Sequence, residues 1–139
     1  MVSLFTTTVK IPPKEVIRRI RANSKSFDFV VREVFDMNEQ FSNHGVEVNE
    51  DWEFYSVMVC NPPRAYSTIL ANPLRGAILL PPKQIVIYKD KKSDVTIVAY
   101  LKFDKDSVGE LLPNDLKFQE GLSNSCNKIV SLIEFVTKT

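Results

Sequence analysis

The feature that most constrains the fold is Met58-Val59-Cys60-Asn61-Pro62-Pro63-Arg64-Ala65-Tyr66, taken with Leu79-Leu80-Pro81-Pro82-Lys83-Gln84-Ile85-Val86-Ile87-Tyr88. An apolar strand runs into Cys60. Asn61 is a natural helix N-cap, because its side-chain oxygen accepts one of the orphan N–H groups of a first turn. Prolines suit the positions after it, where their missing N–H has no helical partner to lose. Asn72-Pro73 stops that helix, since a residue before proline is driven out of helical geometry. A further turn over Leu74 to Leu79 leads through Pro81-Pro82 into a second strand. The unit reads strand, turn, helix, strand, and the other elements arrange themselves around it.

Upstream, Phe5, Thr7, Val9 and Ile11 alternate with Leu4, Thr6, Thr8 and Lys10, which predicts a half-buried strand ended by Pro12-Pro13. Val16, Ile17 and Ile20 then give a helix its apolar stripe, with Lys14, Arg18, Arg19 and Arg21 as its solvated side and Asn23-Ser24 as its end. Phe29 to Asp36 predicts a second strand with Val31, Glu33 and Phe35 on one face. The polar stretch Asn38 to Asp51, turning at Asn43-His44-Gly45, reads as a loop or one frayed helical turn.

Trp52 to Cys60 puts Trp52, Phe54, Ser56, Met58 and Cys60 on one face and Tyr55, Val57 and Val59 on the other. Both are largely apolar, so this strand is expected to be covered on each side. In the helix after it, Ala65, Tyr66, Ile69 and Leu70 form the expected buried stripe. Gln84 to Lys89 and Val95 to Phe103 flank a polar turn and predict a hairpin, with Val95, Ile97, Ala99, Leu101 and Phe103 facing inward. A short helix is expected between Asp104 and Leu112, cut by Pro113. Phe118, Leu122, Cys126, Ile129, Val130, Ile133 and Val136 recur at helical spacing and predict a long amphipathic C-terminal helix. The order β-α-β-β-α-β-β-α predicts an α+β domain, residues 1–139, with helices on one face of a curved, mainly antiparallel sheet.

Composition excludes several classes. At 44% hydrophobic and 25% charged, the chain is neither disordered nor fibrous. A net charge of +1 supplies no bulk field for nucleic acid or an anionic membrane. No apolar run approaches the roughly 20 residues of a membrane helix. The N-terminus lacks the basic and apolar regions of an export signal, and two cysteines make no disulfide framework, so a reducing cytoplasm is the expected setting.

With these elements placed, the chain resembles the DUF302 family over about Thr7 to Leu132. The resemblance rests on Cys60, Asn61, Pro62, Ala65, Tyr66, Asn72, Pro73, Gly76, Leu79, Leu80, Pro81, Val86 and Tyr88, and upstream on Val31-Arg32-Glu33-Val34-Phe35-Asp36, which is similar to the family's Glu-x-Asp strand. It implies a TBP-like α+β fold, a largely uncharacterised function and a homodimer. Many members carry a second cysteine in the Leu-Pro-Cys step, where this chain has Pro82.

The candidate site follows from that turn. Cys60 stands before a helix N-terminus whose positive pole favours a thiolate, although a buried cysteine is also a plain small hydrophobe. Glu33, between Val31 and Phe35, is a candidate partly buried acid. Asn61 and Arg64 can present an N–H group and a guanidinium to an anion, with Tyr66 and Pro82 beside them; capping is the simpler role for Asn61. Trp52, Phe54, Tyr55, Tyr66 and Tyr88 are candidates for a pocket between sheet and helices, for core, or for a dimer contact. His44 stands alone, so no metal site and no cofactor are expected. The leading expectation is a homodimer that binds a small molecule or a protein beside Cys60 without catalysis. The competing one is a thiol-dependent sulfur-handling or redox protein centred on Cys60.

Overall fold

The computed structural model describes residues 1–138. Along the chain lie β1 (Val2–Val9), α1 (Pro13–Asn23), a 3-10 turn (Ser24–Phe27), β2 (Val30–Asp36), α2 (Met37–Asn43), β3 (Phe54–Cys60), α3 (Pro62–Ala71) and α4 (Arg75–Leu79). A second 3-10 turn (Pro81–Lys83) leads into β4 (Gln84–Asp90), β5 (Val95–Phe103), α5 (Lys105–Leu111) and α6 (Leu116–Thr137). The strands form one sheet in the order β1-β5-β4-β3-β2, with every neighbouring pair antiparallel. This is the α+β, TBP-like class expected, with the expected short helix present as α5 and two further short helices, α2 and α4, added.

One core sits between the sheet and two helices. Val57 and Val59 of β3, Ile85 and Ile87 of β4 and Val98 and Tyr100 of β5 meet Val16 and Ile20 of α1 and Leu122, Ile129, Leu132 and Ile133 of α6. Helix ends are set by the expected chemistry. Asp36 caps α2, Asn61 caps α3 and Asp115 caps α6, each accepting the N–H three residues on. Asp104 and Ser107 form a reciprocal capping box on α5. The first part of the polar stretch after β2 is therefore a true helix of two turns, followed at Gly45 by a left-handed residue, and the remainder is loop as one reading expected.

Three expectations about faces are corrected. Residues Thr96, Val98 and Tyr100 of β5 point into the core, whereas Val95, Ile97, Ala99 and Leu101 lie on the helix-free face; Phe103 is buried only at the strand end. Both sets are apolar, so alternation alone does not tell inside from outside. Strand β3 is covered on one side only, with Phe54, Ser56 and Met58 half-buried opposite the core. A bulge between Val31 and Glu33 slips β2 by one residue, so Val31 and Val34 face inward opposite Val59 and Val57. That slip sends Glu33 to the helix-free face beside Met58, where it is exposed rather than a buried acid.

The aromatic candidates divide between the readings left open for them. Phe41, Trp52, Phe54 and Tyr88 stack in a near-parallel row, with centroids 5.6–5.9 Å apart, and Phe54 and Tyr88 belong to the helix-free face. Trp52 and Tyr55 line a polar recess beside α2, and of the five aromatic candidates only Tyr55 is buried in the core.

Candidate functional site

The turn after β3 and the turn before β4 bring α3, α4 and α6 around a pocket of about 220 Å³. Asn61 anchors one wall twice: its side-chain oxygen accepts from the Arg64 N–H at 3.1 Å, and its amide donates to the Asp28 carbonyl at 3.0 Å. Arg64 and Ala65, with Thr68 one helical turn further on, follow along α3. From α6 come Lys117, Phe118, Gly121, Leu122 and Ser125, again at helical spacing. Gly121 faces open space, and a Cβ there would meet nothing within 4 Å. Leu79 and Lys83 complete the lining. Four cations and no carboxylate contribute to it.

Arg75 is the best satisfied of the four. Its Nε and Nη2 each donate to an Asp115 carboxylate oxygen at 2.7 Å, Nη1 donates to the Thr68 carbonyl at 3.1 Å, and the guanidinium lies 5.4 Å from the Phe118 ring centre. The Arg75 guanidinium beside Asp115 holds that carboxyl below its usual value, and Asp115 in turn raises Arg75. This fork-on-fork pair ties α4 to the start of α6.

Lys83 is the opposite case. It is only 5% exposed. Its Nζ donates to Ser125 Oγ at 3.0 Å and lies 5.3 Å from the centre of the Phe29 ring. Among the described residues no carboxylate pairs with it. Burial pulls its pKa below the ordinary lysine value; Cys60 and Cys126 oppose that shift and the Arg64 charge adds to it. An aromatic face offers an ammonium about 0.5–2 kcal/mol. Desolvation costs a buried ion several kcal/mol, so this amine gives up its proton more readily than an exposed lysine does.

The residues expected at this site divide. Asn61 and Arg64 line the pocket, with Asn61 also in its capping role. Cys60 is a free thiol, 7% exposed, on the core side of the wall near Lys83 and outside the lining. Pro82 is buried and serves the turn, its carbonyl accepting from the Tyr100 hydroxyl at 2.5 Å; burial pushes that phenol far above its ordinary pKa. Tyr66 is 68% exposed and faces away, because α3 sits at the rim and buries no residue of its own. Glu33 lies on the other face of the sheet. His44 closes the local turn of α2 through its Nδ1 and the Gln40 carbonyl. No cluster of three or more His, Cys, Asp or Glu suited to a metal occurs among the described residues.

Lys83, Lys117 and Arg75 carry no mark of the site in the sequence. A signal existed for two positions. Gly121 and Ser125 interrupt the apolar stripe between Phe118 and Cys126 with small residues four apart, which marks a helix face that is not fully packed.

Comparison with known sequences gives one decisive match. The profile of the domain of unknown function DUF302 covers residues 5–131. The chain belongs to the DUF302 family. A crystal structure of an uncharacterised conserved DUF302 protein from Bacillus stearothermophilus shares the fold, with a TM-score of 0.68 and 22% identity over 96% of this chain and 94% of that one. No curated protein matches. No helix of this DUF302 chain, among the described residues, is long and apolar enough to cross a membrane.

Proposed function

We propose that this DUF302 protein is a cytoplasmic, homodimeric binding module that takes a small anionic molecule into the pocket between α3, α4 and α6. The observation that carries the reading is Lys83: a buried cationic side chain with no carboxylate partner, in a lining that has three other basic residues and no acid. A buried charge without a partner is costly, and an anionic ligand removes that cost where a protein carboxylate does not. Arg64 and Lys117 supply further charge, while Ala65, Leu79, Phe118 and Leu122 suit an apolar body. The near-zero net charge of the chain makes this a local field rather than a general affinity for polyanions. Two free thiols fit a reducing compartment.

The helix-free face of the sheet favours the dimer. Leu4, Val86, Tyr88, Phe54, Ile97 and Leu101 form an apolar surface that no helix covers. Five strands at the usual spacing span roughly 24 Å by 23 Å, about 550 Å² a side. Two copies face to face bury about 1,100 Å², near the lower bound of stable interfaces. Light scattering is expected to give a dimer mass that Ile97→Lys reduces to a monomer.

The pocket is tested by thermal unfolding and calorimetry against a panel of small carboxylates and phosphates. A ligand present at about 100 times its Kd adds about 2.7 kcal/mol to stability and raises Tm by several degrees. Lys83→Met abolishes the shift. If no anion in the panel stabilises the wild type, the reading fails.

A further inference from the structure

Lys83 offers more than charge. We propose that it holds its ligand covalently, as an imine between Nζ and the carbonyl carbon of a small 2-oxo acid; this rests on the anion-binding reading of the same pocket. The geometry is that of a nucleophilic amine. Nζ is enclosed, its one hydrogen-bond partner is Ser125 Oγ at 3.0 Å, and no carboxylate pins it as an ammonium. Desolvation and a nearby cation are the two devices that leave a lysine amine with a free electron pair at neutral pH, and burial and Arg64 act in that direction here. Arg64 and Lys117, on α3 and α6, are the groups that would receive the acid's carboxylate while its carbonyl meets Nζ. Leu79, Phe118 and Leu122 limit water around the product.

The step balances without any redox partner. The Nζ electron pair adds to the carbonyl carbon, and the C=O π pair moves to oxygen. Nζ passes a proton to that oxygen, with the Ser125 hydroxyl placed to relay it, giving a carbinolamine. The carbinolamine hydroxyl leaves as water with the remaining Nζ proton while the nitrogen electron pair closes the C=N bond, so one water is released for each imine formed.

The test uses the whole protein with pyruvate, 2-oxobutyrate and phenylpyruvate, each with sodium cyanoborohydride as the trapping reductant. Intact mass spectrometry is expected to show one adduct per chain, equal to the acid less one oxygen atom, with peptide mapping placing it on Lys83. Lactate, which has the carboxylate but no carbonyl, competes without being trapped. Lys83→Arg keeps the charge and hydrogen-bonding capacity and loses the adduct. Arg64→Ala keeps the amine and slows trapping roughly tenfold, the loss of one charge-assisted hydrogen bond. Labelling spread over exposed lysines such as Lys14 and Lys105, or no adduct at all, overturns the proposal. If lactate and pyruvate bind equally while nothing is trapped, the imine fails and the anion pocket stands. If neither binds, both fail.

Discussion

Arg75 and Lys83 line one pocket and live in opposite circumstances. Arg75 has a bidentate carboxylate, a backbone carbonyl and an aromatic face, and the pair it makes also caps α6 through Asp115. Lys83 is more deeply buried and has one hydroxyl and the face of Phe29, with no carboxylate. The first arrangement joins two helices. The second links the turn before β4 to α6 through one hydroxyl and leaves the charge's desolvation cost unmet by any carboxylate, which is how a group kept for a ligand differs from one kept for structure.

The largest test of that contrast is Asp115→Ala. It leaves Arg75 largely enclosed and unpaired and removes the N-cap of α6, so we expect a loss of about 2–4 kcal/mol in urea unfolding. Asp115 is also held below its usual carboxyl value, so the unfolded chain takes up the proton first on acidification. Its contribution is full above about 3.8 and fades as pH falls towards the lower folded value. The variant therefore loses that part of the acid limb. An Asp115→Ala protein as stable as wild type would erase the structural half of the comparison.

Lys83→Met should move the other way. An unbranched apolar side chain fills the same channel without the charge, and a gain of about 1–2 kcal/mol is expected, together with loss of anion binding. A loss of several kcal/mol would instead make Lys83 a structural residue and leave the pocket without its central argument.

The two regions were also unequally legible. Val16, Ile17 and Ile20 of α1 and the stripe from Phe118 to Val136 follow helical spacing, because one face of each helix meets the core and the other meets water. Asn61-Pro62-Pro63 marked α3 by capping chemistry alone. The sheet was harder: Val95, Ile97, Ala99 and Leu101 are as apolar as their neighbours, since the helix-free face is itself apolar, so period-two alternation carries no sign. Glu33 was misplaced by a bulge, a register event with no residue signature here. Tyr66 looked buried by spacing, but α3 lies at the rim. Lys83 could not be read at all. Its burial depends on α6 arriving over the Pro81-Pro82 turn from about forty residues downstream.

The smallest effect is also the most specific to Lys83. Its folded-state pKa is depressed, so between that value and the ordinary 10.5 the unfolded chain binds a proton that the folded chain does not. Unfolding free energy then rises with pH across this window, by at most about 1.4 kcal/mol per unit, and the cost of burying the ammonium is full below it. Cys60 on β3, Cys126 on α6 and Arg64 on α3 face Lys83 in wild type and in Lys83→Met alike, so their direct contributions largely cancel in the difference. The stability advantage of Lys83→Met should therefore shrink as urea midpoints are measured through the window below 10.5. An advantage that stays constant or grows would mean the folded state bears no penalty for that proton, and Lys83 would then be no different from Arg75: a cation whose partners already suffice.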